Sequence, residues 1–168
     1  MQRTMRRKRQ ELSREEGIAV LDEATAGVLS LVDEDGEPYG VPISFAREGQ
    51  TLYFHGAREG RKLDAMRHCG RASFCVIQQD MVVPQKFTTY FRSAIACGPI
   101  RVVDDPDEAR RGLWALAHKY NPGDTEGSEA EIEGAFARTC VMALDIEDLT
   151  AKEAIELVRE RAALSEQG

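Results

Sequence analysis

The side chains best suited to chemistry lie in one stretch, Thr51 to Val76, TLYFHGAREGRKLDAMRHCGRASFCV. Leu52, Tyr53, Phe54 and His55 have strand character and run into a loop with Gly56, Ala57 and Gly60, after which Arg61-Lys62 opens a helix carrying Leu63 and Met66. Cations are disfavoured in the first turn of a helix, because the aligned peptide dipoles already place about half a positive charge there. Two adjacent ones point to an anion. A glycine-relieved loop before a helix N-terminus, with free backbone N–H groups and two basic side chains, is a sound phosphate site. The residues alone equally admit a solvated basic corner neutralised by Glu59 and Asp64. His55, at the strand end beside this loop, titrates near neutral pH, so it can hand a proton to a neighbour or simply bond the backbone.

Other reactive side chains fit structural roles. His68 and His118 fall on separate helices and read as solvated. With no paired His, Cys or carboxylate spacing, no metal site is expected. Cys97 beside Gly98 reads as a small buried residue, Tyr90 and Phe91 as packing, and Glu129, Glu131 and Glu133 as a solvated helix face.

The elements that must position the stretch are mostly strands. Ala26 to Val32 is a compact apolar strand, and Gly36 can take the positive φ of the following hairpin turn. Val41, Ile43 and Phe45 alternate with Pro42, Ser44 and Ala46, so one face is buried while the other leaves room for something flat. Pro42 places this strand at an edge or bulge. Thr51 to His55 follows, completing a three-stranded β-meander that Ala72 to Ile77 extends. Thr88 to Val103 is a long strand interrupted by Gly98-Pro99, read as a bend, and Thr139 to Ile146 is the last of six. Long bent strands suit a barrel.

Helices are expected after the capping box Ser13-Arg14-Glu15-Glu16, ending near Ala24, and after Asp105-Pro106 with Ala109, Leu113, Leu116 and Ala117 on one stripe. Another should start at Ser128 to Glu131, past an irregular loop from Asn121 to Gly127. An amphipathic helix is expected from Thr150 onward. The pattern predicts a mainly β (α+β) protein, an antiparallel six-stranded barrel with peripheral helices. Its parts are a basic arm (1–12, with Arg3, Arg6, Arg7, Lys8 and Arg9), one domain (13–149) and a C-terminal helix (150–168). A Rossmann fold is excluded, since neither G-x-G-x-x-G nor a G-x-x-x-x-G-K-[S/T] loop is present.

The 168 residues are 42% hydrophobic and carry a net charge of −7, with a pI near 5.1. This balance repels polyanions, so nucleic acid is not an expected partner. Four cysteines without CxxC spacing suit reduced thiols. No apolar run reaches the roughly 20 residues that span a bilayer. A cytoplasmic protein without membrane partners is expected.

The succession VDEDGEPYGVPISFAREGQTLYFHGAREGRKLDAMRHCGRASFCV resembles the FMN-binding core of the pyridoxamine 5′-phosphate oxidase-like split-barrel superfamily. It is most similar to the nitroimidazole-resistance (nitroimidazole reductase) branch, and the likeness runs from about Met5 to Ile146. The resemblance implies a split barrel that binds FMN, with Gly60, Arg61 and Lys62 at its phosphate. It lays Val41, Pro42, Ile43 and Ser44 along the isoalloxazine ring and brings Phe54 and His55 to it from the next strand. Arg92-Ser93 would reach the flavin across the interface of a homodimer. In that branch His55 would be the catalytic proton donor to a nitro group, and Arg92 could polarise developing negative charge. The likeness to the oxidases themselves stops short of the tail, which lacks their tryptophan and arginine segment for gripping pyridoxal phosphate.

Three functional classes follow: an FMN-dependent reductase of nitroimidazoles or a related small electrophile, a split barrel holding haem or a deazaflavin, and a flavin-binding protein without turnover.

Overall fold

A computed structural model describes residues 5–165, and strand β6 (Thr88–Val102) organises it. β5 (Arg71–Val83) pairs along its length. On the other edge of β6, Arg92 to Cys97 pair with β8 (Asp148–Glu153), whereas Ile100 to Val102 pair with β7 (Cys140–Asp145). All these ladders are antiparallel. The change of partner falls at Gly98-Pro99, where the sequence suggested a bend. Glycine is required there, because a Cβ at Gly98 would lie 1.8 Å from the carbonyl oxygen of Asp145.

Outward from β6 on one side lie β5, β1 (Gly27–Val32) and β2 (Pro38–Ile43); on the other lie β7, β4 (Thr51–Gly56) and β3 (Ala46–Glu48). β2 and β3 end this path yet follow each other in the chain, joined by Ser44-Phe45 without pairing, so the barrel is split along that seam. Tyr120, the last residue of α3 (Pro106–Tyr120), plugs it. Its hydroxyl accepts the Phe45 N–H at 2.9 Å and donates to the Thr25 carbonyl at 2.6 Å.

The six expected barrel strands are all present, and β3 and β8 are additional. The expected meander is corrected: β4 pairs with β7 and β3, not with β2, because Ser44-Phe45 carries the chain off the edge of one sheet into the other. Pro42 does sit on an edge strand, where no ladder lacks its N–H.

Inside the barrel, Phe74 meets Phe45 and Phe54 edge-on at centroid distances of 4.6 and 5.0 Å. Leu29, Leu52, Met142 and Leu144 are fully buried around them, each contributing roughly 1.5–3 kcal/mol of apolar burial. α1 (Arg14–Glu23) adds Val20 and Leu21, and its capping box forms: Ser13 Oγ accepts the Glu16 N–H at 3.2 Å and the Glu16 carboxylate accepts the Ser13 N–H at 2.7 Å. α2 (Arg61–His68) adds Leu63 and Met66.

Three boundaries differ from expectation. α4 (Thr125–Ala135) starts earlier than Ser128, because the Asp124 carboxylate caps it by accepting the Gly127 N–H at 2.9 Å. The tail is not helical from Thr150: β8 occupies that region and α5 (Ile155–Ser165) follows. The inner part of the basic arm is built into the fold. Gln10 and Leu12 are buried, and the Leu12 N–H donates to the Ala151 carbonyl at 2.9 Å. Arg3 and residues 166–168 lie outside the described residues. No described helix is long and apolar enough to cross a membrane.

Glu153 on β8 is 1% exposed and lies 3.1 Å from Arg92 and 2.7 Å from Arg161, while Arg161 also pairs with Glu16. This network ties β6, β8, α5 and α1 together.

Candidate functional site

Side-chain alternation along β4 sets the site. Leu52 and Phe54 point into the barrel, so Tyr53 and His55 share the opposite face, which α3 covers. α3 lies close over Tyr53 because Gly112 has no side chain; a Cβ there would stand 2.7 Å from the Tyr53 ring. His55 lies one step beyond this cover and faces a groove of about 630 Å³ between α3 and α4. Leu113, Leu116 and Ile132 wall the groove, Tyr120 and Arg138 rim it, and Ser44 joins His55 at its barrel side. The volume lies within the range that holds a small organic ligand. Although the imidazole surface is open to solvent, the packing behind it lowers the pKa of His55 below 6.5, and the Lys62 charge adds to this. Both effects favour the neutral imidazole.

The loop after β4 leads to α2 as the glycine pattern suggested. Gly60 takes φ +122°, which a side chain would strain, and its carbonyl accepts the Leu63 N–H at 2.8 Å. The two basic residues part company here. Arg61 turns toward the β1–β2 hairpin, 2.7 Å from the Asp33 carboxylate, with its guanidinium 4.6 Å from the centre of the Tyr39 ring. Lys62 instead lies over Gly56, with Nζ 2.8 Å from where a Cβ of that residue would be. It makes no ion pair among the described residues, and burial lowers its pKa. A half-buried, unpaired ammonium at a helix N-terminus is the arrangement that an anion would relieve. The solvated corner drawn with Glu59 and Asp64 does not form around Lys62: Asp64 pairs with Arg67 at 3.1 Å.

The remaining candidates divide. Ser44, His55 and Lys62 come together at one end of β4. Phe54 is fully buried among aromatic rings, so only its backbone could meet a ligand. Val41 and Ile43 pack partly on the core, and Pro42 is exposed on the edge strand. Arg92 does not approach His55 within one chain; it lines a separate cleft with Leu12, Glu16 and Arg161, bound to Glu153, with Ser93 beside it on β6. Both α3 and α4 are expected from the sequence, but their joining as a wall beside His55 is not, because it depends on packing between segments far apart in the chain. Among the described residues no group of His, Cys and carboxylates could hold a metal ion, and all four cysteines are free.

An antiparallel barrel split at one seam, with a basic loop and a ligand-sized groove beside that seam, is the architecture of the split-barrel class. The chain belongs to the pyridoxamine 5′-phosphate oxidase family, whose model matches residues 13–153. No curated protein matches it in sequence. Among solved structures it is similar to an FAD and haem binding protein from Mycobacterium smegmatis, at 29% identity and TM-score 0.74, covering 87% of this chain and 73% of that one. It is also similar to a candidate 5-nitroimidazole antibiotic resistance protein from Bacteroides thetaiotaomicron, at 21% identity and TM-score 0.71, covering 85% and 86%. A flavocytochrome from Azotobacter vinelandii matches at 24% identity and TM-score 0.73, covering 90% and 72%.

Proposed function

We propose that the chain is a flavin-dependent oxidoreductase, with FMN as the minimal cofactor, that reduces small electrophiles of the nitroheteroaromatic kind. The observation that carries this reading is the unpaired Lys62 ammonium close enough to act on His55, which itself faces a groove that also reaches Ser44. Lys62 and the first turn of α2 hold the phosphate, and the backbone at Ser44 meets the polar edge of the ring system. Bound flavin supplies the electrons. His55 faces the substrate space, where an imidazole N–H donates to a reduced oxygen, and Leu113, Leu116 and Ile132 offer the substrate apolar contact. The nitroimidazole-resistance relative supports the substrate class. A second copy of the chain would complete the site with Arg92-Ser93.

A haem reading has its own support, since a neutral, exposed imidazole such as His55 is a ready iron ligand and two of the relatives are haem proteins by name. The absorption spectrum of the purified protein separates the two cofactors.

The test of the phosphate site is calorimetric titration with FMN. Charge-assisted contacts contribute about 1.5–3 kcal/mol each, so Arg61→Ala with Lys62→Ala should weaken binding at least tenfold. Lys62→Ala alone should account for most of this, because Arg61 is already engaged by Asp33. Unchanged FMN affinity in a folded double variant would sink the assignment.

A further inference from the structure

Next to the phosphate loop lies a second cavity, of about 260 Å³, that the reading above leaves unused. Strand register places it: Cys140 on its wall pairs with Gly56, the residue that the Lys62 ammonium covers. The cavity therefore begins where the phosphate site ends. At that volume it is smaller than a pocket for a whole ligand and suits a fragment of one.

Its two ends differ in chemistry. Burial raises the pKa of the Cys140 thiol and Asp104 adds to this, while the nearby charges of Arg58, Lys62 and Arg67 act the other way, so three cations gather at this end. Arg58 is exposed and makes no ion pair among the described residues, while the Arg67–Asp64 pair is exposed on both sides and weak. Leu63 and Phe136 add apolar lining, the Phe136 ring carrying the Arg110 guanidinium 4.4 Å from its centre, and Asp104 offers a carboxylate to hydroxyl or amine donors. A single phosphate on Lys62 uses neither Arg58 nor the apolar slot. A second phosphate followed by a flat base uses both, and sugar hydroxyls or a base amine suit Asp104.

We propose that this cavity is a subsite for the adenylate half of a flavin dinucleotide, with Arg58 on the second phosphate and the base between Leu63 and Phe136, so that the chain prefers FAD to FMN. The inference rests on the flavin reading above and can fail separately from it.

The test is calorimetric titration of the full chain with FMN and with FAD, repeated for Arg58→Ala and for Pro106→Trp, which fills the rim from an exposed position. Thermal melts confirm that each variant is folded. FAD should bind at least tenfold more tightly than FMN, and each variant should bring the ratio of affinities toward one. Equal affinities, tighter FMN, or a ratio that neither variant changes would overturn the subsite while leaving the flavin reading intact. An Arg58→Ala variant that loses FMN and FAD equally would also overturn it, since the cavity would then hold the first phosphate. Binding of neither flavin removes both readings.

Discussion

His55 is held neutral by its surroundings, and this has two measurable results. Its folded pKa lies below 6.5, so between that value and 6.5 the folded protein binds fewer protons than the unfolded chain. The associated stability is full above pH 6.5 and is lost as pH falls through the lowered value. The wild-type melting temperature should therefore drop more steeply below pH 6.5 than that of His55→Gln. If the imidazole also serves the reaction, His55→Ala should keep its flavin while anaerobic turnover of a nitro compound falls about 10²-fold. Equal turnover per bound flavin would leave His55 as a strand-end residue. At this scale much of the candidate site was legible, because a histidine ending an apolar strand, two glycines and a basic pair are local signals. It could not tell Arg61 from Lys62. That distinction depends on Asp33 and Tyr39, which the hairpin brings near from more than about twenty residues away in sequence.

Between elements, β6 bears the heaviest constraint. Gly98 lets the Asp145 carbonyl pass where any side chain would sit, so even Gly98→Ala must push β7 away from β6. Overpacking of this kind costs roughly 1–3 kcal/mol. Urea denaturation should show such a loss, and retained stability would mean that the strand can shift without penalty. The bend was legible in Gly98-Pro99; the exchange of β8 for β7 was not, because pairing partners depend on chain segments far apart. Thr150 to Glu153 of β8 fall in the stretch that Ile155, Val158, Ala162 and Leu164 among many charges mark as an amphipathic helix, and Ala151, Lys152 and Glu153 are themselves good helix formers. The ladder with β6 and the burial of Leu149, Ala151 and Glu153 on one face outweigh that preference. β3 was missed for a simpler reason, having only three residues.

For the molecule as a whole, the burial of Glu153 makes Arg92 a structural residue whatever else it does. Arg92→Ala leaves a buried carboxylate with one partner fewer, at about 1–3 kcal/mol, and adding Glu153→Leu should recover much of the loss. Denaturation of both variants checks this; a silent Arg92→Ala would free the residue for a purely cofactor-directed role. Assembly is the other expectation at this scale. Ile77, Val82 and Phe87 lie exposed along or just past β5 and β6, with Phe87 98% exposed, and a two-fold symmetric dimer would cover them. Sedimentation should show a dimer at micromolar concentration, with Phe87→Ser and Val82→Ser together yielding monomer that holds flavin poorly. A wild-type monomer with tightly bound flavin would end the dimer proposal. The place of β8 also bears on the order in which the protein is made. One edge of β6, from Arg92 to Cys97, waits for a strand synthesised some fifty residues later, and Leu12 waits with it for the Ala151 carbonyl. A nascent chain therefore carries an open, hydrogen-bond-hungry edge until that strand is made. A chain interrupted before residue 148 would keep that edge for good, and its expected fate is aggregation rather than a smaller working barrel.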